Sequence, residues 1–128
     1  VSRFRGGTVE RNLALLPVQA NGKYNPVKVR AQLTAPQYLI EKFDAKKDDN
    51  ILFYYTSSIK SPARLTGNVL LVHETIDQVK ESRKAWIYNA GQRRVRRAPN
   101  VAYDGPGAGT DGLRAADNFD MYNGAPDR

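Results

Sequence analysis

The nine residues Val27-Lys28-Val29-Arg30-Ala31-Gln32-Leu33-Thr34-Ala35 alternate without a break between apolar and polar side chains. A period of two over that length is the signature of an extended strand with one dry face and one wet face. Pro26 and Pro36 bracket the run. Proline has no N–H to give to a ladder, so it marks where pairing stops. A sheet with one solvated face is normally antiparallel, because parallel sheets are covered on both sides.

The pattern recurs on either side. Ile51 to Ser57 (ILFYYTS) is rich in aromatic and branched residues that suit a pleated surface, and Ser61-Pro62 breaks the chain's extended run a few residues later. A longer strand is expected from Arg64 to Ile76, with Gly67-Asn68 as a bulge or bend inside it. In it Leu70, Val72 and Ile76 share one face, and Val69, Leu71 and His73 share the other. Lys84–Tyr88 and Arg93–Ala98 flank Asn89-Ala90-Gly91-Gln92, which reads as a hairpin. Towards the N-terminus, RGGTVERNLALLPVQ reads as an edge strand. Residues 35–50 leave room for one short helix or turn. From Pro99 to Arg128 the chain turns rich in Gly, Asp, Asn and Pro. That tail reads as a long loop with one helical turn near Leu113–Asn118. The fold class is therefore mainly β: a curved antiparallel sheet with little helix, in a single domain over residues 1–128.

The 128 residues suffice to bury a core. The chain has no cysteine, which removes disulfides, thiolate metal sites and a cysteine nucleophile. No apolar run approaches the roughly 18 residues of a membrane-spanning helix. The opening VSRFRGG holds no apolar segment of the signal-peptide kind.

Charge is uneven. Residues 80–97 carry six of the seven net positive charges, and the segment from Ala98 onward is net acidic. The two halves can neutralise each other, or the basic ribbon can meet an anionic partner. On a strand Arg93, Val95 and Arg97 share one face while Arg94 and Arg96 take the other, so neither face is simply buried. Trp86, Tyr88 and Tyr103 lie near enough in sequence to stack on bases, which keeps nucleic acid as an alternative partner.

Motifs with catalytic meaning fall short of their contexts. Gly107-Ala108-Gly109-Thr110-Asp111-Gly112 matches the dinucleotide fingerprint by letters, but no strand leads into it and no long helix comes after it. His73, the one histidine, sits mid-strand with no nucleophile motif nearby. Asp111, Asp117 and Asp120 do not have calcium-loop spacing. No catalytic residue, metal or cofactor is expected.

The stretches FRGGTVERNLALLPVQANGKYNPVKVRAQL, SPARLTGNVLLVHETIDQVKESRKAW and RKAWIYNAGQRRVRRAPNVAYDGPGAGTDGLRAADNFDMYNGAPDR resemble the bacterial domain-of-unknown-function family 1329. Members of that family are longer, so the chain reads as a fragment. Trp86, Tyr88, the Arg93–Arg97 strand, Gly109-Thr110-Asp111 and Asp117-Asn118-Phe119 also resemble the pattern of outer-membrane lipoprotein-sorting proteins of the LolA/LolB type. That resemblance implies an incomplete, half-open β-barrel with an apolar hollow. It also implies a periplasmic or outer-membrane location, no enzymatic activity, and association with an envelope transporter. The partner it points to is a lipid or other hydrophobic ligand rather than nucleic acid. Phe53, Tyr55, Leu70, Val72, Trp86 and Tyr88 are expected to line the hollow. Arg93, Arg94, Arg96 and Arg97 are expected to hold an anionic headgroup. Each methylene buried there contributes about 0.8 kcal/mol. An alternative is an interaction module that docks on a transporter without a small ligand. Exposed sheet edges would favour a homodimer.

Overall fold

A computed structural model describes residues 7–39, 44–77, 79–98 and 112–115. Six strands succeed one another in an antiparallel meander: β1 (Thr8–Leu15), β2 (Val27–Thr34), β3 (Ile51–Ser61), β4 (Val69–Thr75), β5 (Lys84–Asn89) and β6 (Arg94–Arg97). Their order in the sheet is their order in the chain. The result is a curved, open sheet with almost no helix. Register shifts between Lys28 and Val29 and between Ile51 and Phe53 insert extra residues. Such bulges bend the strand that carries them and increase its twist.

The alternation in β2 survives in three dimensions. Val27, Val29 and Ala31 are buried, while Lys28, Arg30 and Gln32 are exposed. Pairing carries that division across the sheet. Leu33 lies opposite Val9 on one side and Tyr55 on the other; Val72 then lies opposite Tyr55, and Ala85 opposite Val72. One face therefore collects Val9, Leu13, Val29, Ala31, Leu33, Phe53, Tyr55, Leu70, Val72, Ala85 and Ile87. We call it the apolar face. Its best-packed point is around Phe53, Glu74 and Ala85, all essentially inaccessible to solvent.

The other face changes character along the sheet. Over β1 and β2 it is polar, and the Arg30 guanidinium donates to Glu10 at 2.7–2.8 Å. Over β3 to β5 it becomes aromatic. Tyr54, His73 and Trp86 form a row of edge-to-face contacts with ring centroids 4.7 and 4.8 Å apart.

The connection between β2 and β3 holds a 3₁₀ turn at Pro36–Tyr38 and a four-residue helix α1 (Ala45–Asp48), two short helical pieces where the sequence left room for one. Asp44 caps α1, its carboxylate accepting from the Lys46 amide. The strand expected from Arg64 to Ile76 is shorter than its sequence pattern. Residues 62–66 form a turn in which the Pro62 carbonyl accepts from the Leu65 and Thr66 amides. Gly67 has a φ of +86°, which a strand does not allow, so β4 begins at Val69. Ile76 lies beyond the end of β4 and is exposed, so it does not share the face of Leu70 and Val72. Conversely β3 continues past Ser57 to Ser61. Most of the Gly/Asp-rich tail, with Gly107–Asp111, Asp117 and Asp120, lies outside the described residues. Residues 112–115 within it are not helical.

Candidate functional site

Register decides which side chains can meet one ligand. Phe53, Tyr55, Leu70 and Val72 all lie on the apolar face. Trp86 pairs with Leu71, and Tyr88 with Val69, which places both aromatic rings on the opposite face. The six residues expected to line one hollow are therefore split four and two. Phe53 is 2% exposed and belongs to the packed interior. Tyr55, Leu70 and Val72 are half-buried and remain accessible from the apolar side.

The apolar face carries a small hollow over β1 and β2. Val9, Arg11, Leu13, Ala31, Leu33 and Tyr55 bound a hollow of about 50 Å³. It arises because Ala31, a small side chain, lies between Val29 and Leu33 and directly opposite Arg11. A full ligand pocket is roughly 300–1,000 Å³. These residues therefore form a floor over which a ligand could lie, and not an enclosure. A wider dent of about 350 Å³ adjoins it, bounded by Asn12, Leu13, Ala14, Lys28, Val29 and Lys60.

Arg11 is the residue that sequence reading missed. It shares the parity of Val9, Leu13 and Leu15 and so projects from the apolar face. Among the described residues no carboxylate lies within ion-pair distance of it. Its neighbour Glu10 points the other way and is taken by Arg30. At the far edge of the sheet, Arg94 and Arg96 lie opposite Asn89 and Ile87 and also project from the apolar face. Val95 and Arg97 project from the aromatic face beside Tyr88 and Trp86. Arg93 stands outside β6, with a φ of +51° in the turn. All five residues from Arg93 to Arg97 are exposed. The apolar face is thus bordered by guanidinium groups at both edges.

A comparison with known proteins agrees with this architecture. The DUF1329 family, described as proteins of unknown function, matches residues 1–128. The chain belongs to that family. An uncharacterised protein of Pseudomonas aeruginosa is 56% identical over all 128 residues, and the chain spans 28% of that relative's length. A solved Vibrio parahaemolyticus domain, described as a candidate outer membrane lipoprotein-sorting protein, superposes with a TM-score of 0.61 at 15% identity. That match covers 86% of this chain and 43% of the other. The DUF1329 chain therefore shares the LolA-like fold.

The buried polar groups are structural in geometry. Glu74 projects from the apolar face opposite Phe53, and its carboxylate accepts from the Arg83 guanidinium at 2.7 Å. Their side chains are 4% and 11% exposed. Asp48 accepts from the Tyr54 hydroxyl at 2.6 Å and from the Asp44 amide at 3.0 Å. Burial, then the Asp48 carboxylate, push the Tyr54 hydroxyl up to about 12. His73 is packed between the Tyr54 and Trp86 rings, and burial, followed by the nearby Lys84 ammonium, lowers its pKa. Among the described residues no three His, Asp or Glu side chains converge as a metal site would require.

Proposed function

We propose that this DUF1329 chain is part of a non-enzymatic bacterial envelope protein that holds an amphiphilic ligand against its apolar sheet face. The acyl portion lies over Val9, Leu13, Leu33 and Tyr55, and an anionic head is held by Arg11. The observation that carries this reading is the placement of Arg11. A guanidinium set among aliphatic side chains is costly once covered, unless an anion covers it too. An acid with a hydrocarbon tail satisfies both demands at one place. Leu70, Val72, Arg94 and Arg96 extend the same surface towards the other edge. Five strand spacings of about 4.8 Å separate β1 from β6, so Arg11 and Arg96 meet different parts of a long ligand. The solved structural neighbour's description as a candidate outer membrane lipoprotein-sorting protein supports a periplasmic or outer-membrane setting and a lipid-like ligand.

The test uses the full-length protein with a fluorescent long-chain fatty acid and its methyl ester. The acid is expected to bind more tightly than the ester. Arg11→Gln is expected to weaken the acid and leave the ester nearly unchanged. A hydrogen bond to a charged group contributes about 1.5–3 kcal/mol, which corresponds to roughly a 10- to 100-fold change in Kd. Equal binding of acid and ester would overturn the role of Arg11. Failure of both to bind would overturn the ligand reading and favour a docking module.

A further inference from the structure

The β1–β2 hairpin runs well past the sheet. Beyond Leu15 and before Val27 the chain closes a second, smaller ribbon through a bridge between Val18 and Tyr24. The Gln19 amide donates to the Lys23 carbonyl at 2.8 Å, and the Gly22 amide donates to the Gln19 carbonyl at 2.9 Å. The Asn21 side chain accepts from the Lys23 amide, and Gly22 supplies a φ of +78°. The tip is therefore a built structure with its own hydrogen bonds. Yet it leaves its large apolar side chains in water: Leu16, Val18 and Tyr24 are 55%, 56% and 57% exposed. The Val18–Tyr24 bridge sets those two on the same side of the ribbon. Apolar groups gathered at a projecting tip mark a contact surface, whereas scattered ones do not.

Charge says what kind of surface it contacts. From Arg11 to Ile40 the sequence holds Arg11, Lys23, Lys28 and Arg30 and no acidic residue. Arg30 is matched by Glu10, but Lys23 and Lys28 have no carboxylate partner among the described residues. An apolar end with a basic collar suits the interface of an anionic bilayer. The hydrocarbon boundary takes the apolar side chains, phosphates meet the ammonium groups, and a tyrosine fits the headgroup level. A protein partner would have to be both apolar and strongly acidic at one place; a membrane presents that combination everywhere.

We propose that the β1–β2 tip is a membrane-contact element that seats Leu16, Val18 and Tyr24 in the interface of an anionic lipid bilayer. This inference does not depend on the ligand reading above. Its test is flotation of the full-length protein with vesicles of phosphatidylcholine alone or mixed equally with phosphatidylglycerol. Binding is expected on the mixed vesicles and is expected to weaken with salt. Leu16→Ser, Val18→Ser and Tyr24→Ser together should reduce the partition coefficient by on the order of 100-fold, because most of the inserted apolar area is gone. Lys23→Gln with Lys28→Gln should remove the preference for the anionic mixture. Tyr24→Trp keeps the tip intact and provides a readout free of folding concerns. Its added emission, relative to the unsubstituted protein, should shift to the blue on mixed vesicles and be quenched by brominated acyl chains. Absence of vesicle binding, or binding by the triple variant at the original level, would overturn the proposal. So would an added emission that is already blue-shifted without vesicles and indifferent to them, which would place the tip against another part of the full-length protein.

Discussion

Removing Arg83 should destabilise the fold more than removing both Arg83 and Glu74. The guanidinium and carboxylate are 2.7 Å apart with side chains 11% and 4% exposed, so both are largely out of water. Glu74 faces Phe53 across the strand pair, where the sheet is best packed. Arg83→Met removes the guanidinium that donates to the Glu74 carboxylate in that setting. Breaking a buried pair on one side costs about 3–5 kcal/mol, whereas replacing both partners by apolar groups of similar volume is often close to neutral. A domain of this size is stabilised by only about 5–15 kcal/mol, so the single variant should lose a large share of its stability. The measurement is a double-mutant cycle by urea unfolding with Arg83→Met, Glu74→Leu and the double variant, compared at unchanged m-value. The expected coupling is about 2–4 kcal/mol, with the double variant more stable than either single one. Costs that simply add, or an Arg83→Met cost below about 1 kcal/mol, would refute the idea that these charges depend on each other for their burial.

Three further outcomes are expected from the same geometry. Tyr54 should ionise at about 12 in a spectrophotometric titration, above the free phenol, and Asp48→Asn should bring it down. Because its folded value lies above the free phenol's, its contribution is intact below pH ~10 and fades as pH rises towards 12. His73 has the opposite sign in the folded state: its lowered pKa keeps it neutral, while the unfolded chain binds a proton from about pH 6.5 downward. Stability should therefore fall as pH drops below about 6.5, and His73→Gln should flatten that slope in unfolding curves measured across the range. Gly67→Ala should cost about 1 kcal/mol or more, since φ is +86° and the added Cβ would stand 3.0 Å from the Ala90 Cβ. Thermal unfolding would show it.

Strands were legible where one face is dry and the other wet. β2 is the clearest case, because every second residue from Val27 to Ala31 is buried and the alternation is the burial pattern itself. The stretch from Arg64 to Asn68 was misleading for a local reason. Its residues permit a strand, but a turn closed on the Pro62 carbonyl competes for the same amides and wins. The site was less legible than the fold. Parity within one strand can be read directly, so Arg94 and Arg96 were correctly separated from Val95 and Arg97. Parity between strands depends on register, and a slip of one residue moves every side chain to the other face. Nothing in KAWIY states whether Trp86 or Ile87 faces Leu70; the ladder pairs Leu70 with Ile87. Arg11 was hidden for a different reason. A charged residue on an edge strand reads as solvated, although Val9, Leu13 and Leu15 at the same parity already placed it on the dry side.

The distribution of burial along the apolar face narrows where a ligand can act. Around Phe53, Glu74 and Ala85 the protein's own groups exclude solvent, and the Arg83–Glu74 pair occupies the polar capacity there. A ligand entering at that end would have to displace packed side chains and a paired charge, at a cost of several kcal/mol. At the β1 edge, beside the buried Val29 and Ala31 of β2, Leu13 is 38% exposed, and Arg11 has no carboxylate within ion-pair distance among the described residues. Covering that surface gains apolar burial and supplies the missing charge in one step. The ligand contact proposed above therefore fits the β1 edge best, on the same hairpin whose tip carries Leu16, Val18 and Tyr24. A protein that meets a bilayer with the end of this hairpin would bring the floor beside Arg11 close to the depth at which acyl chains begin.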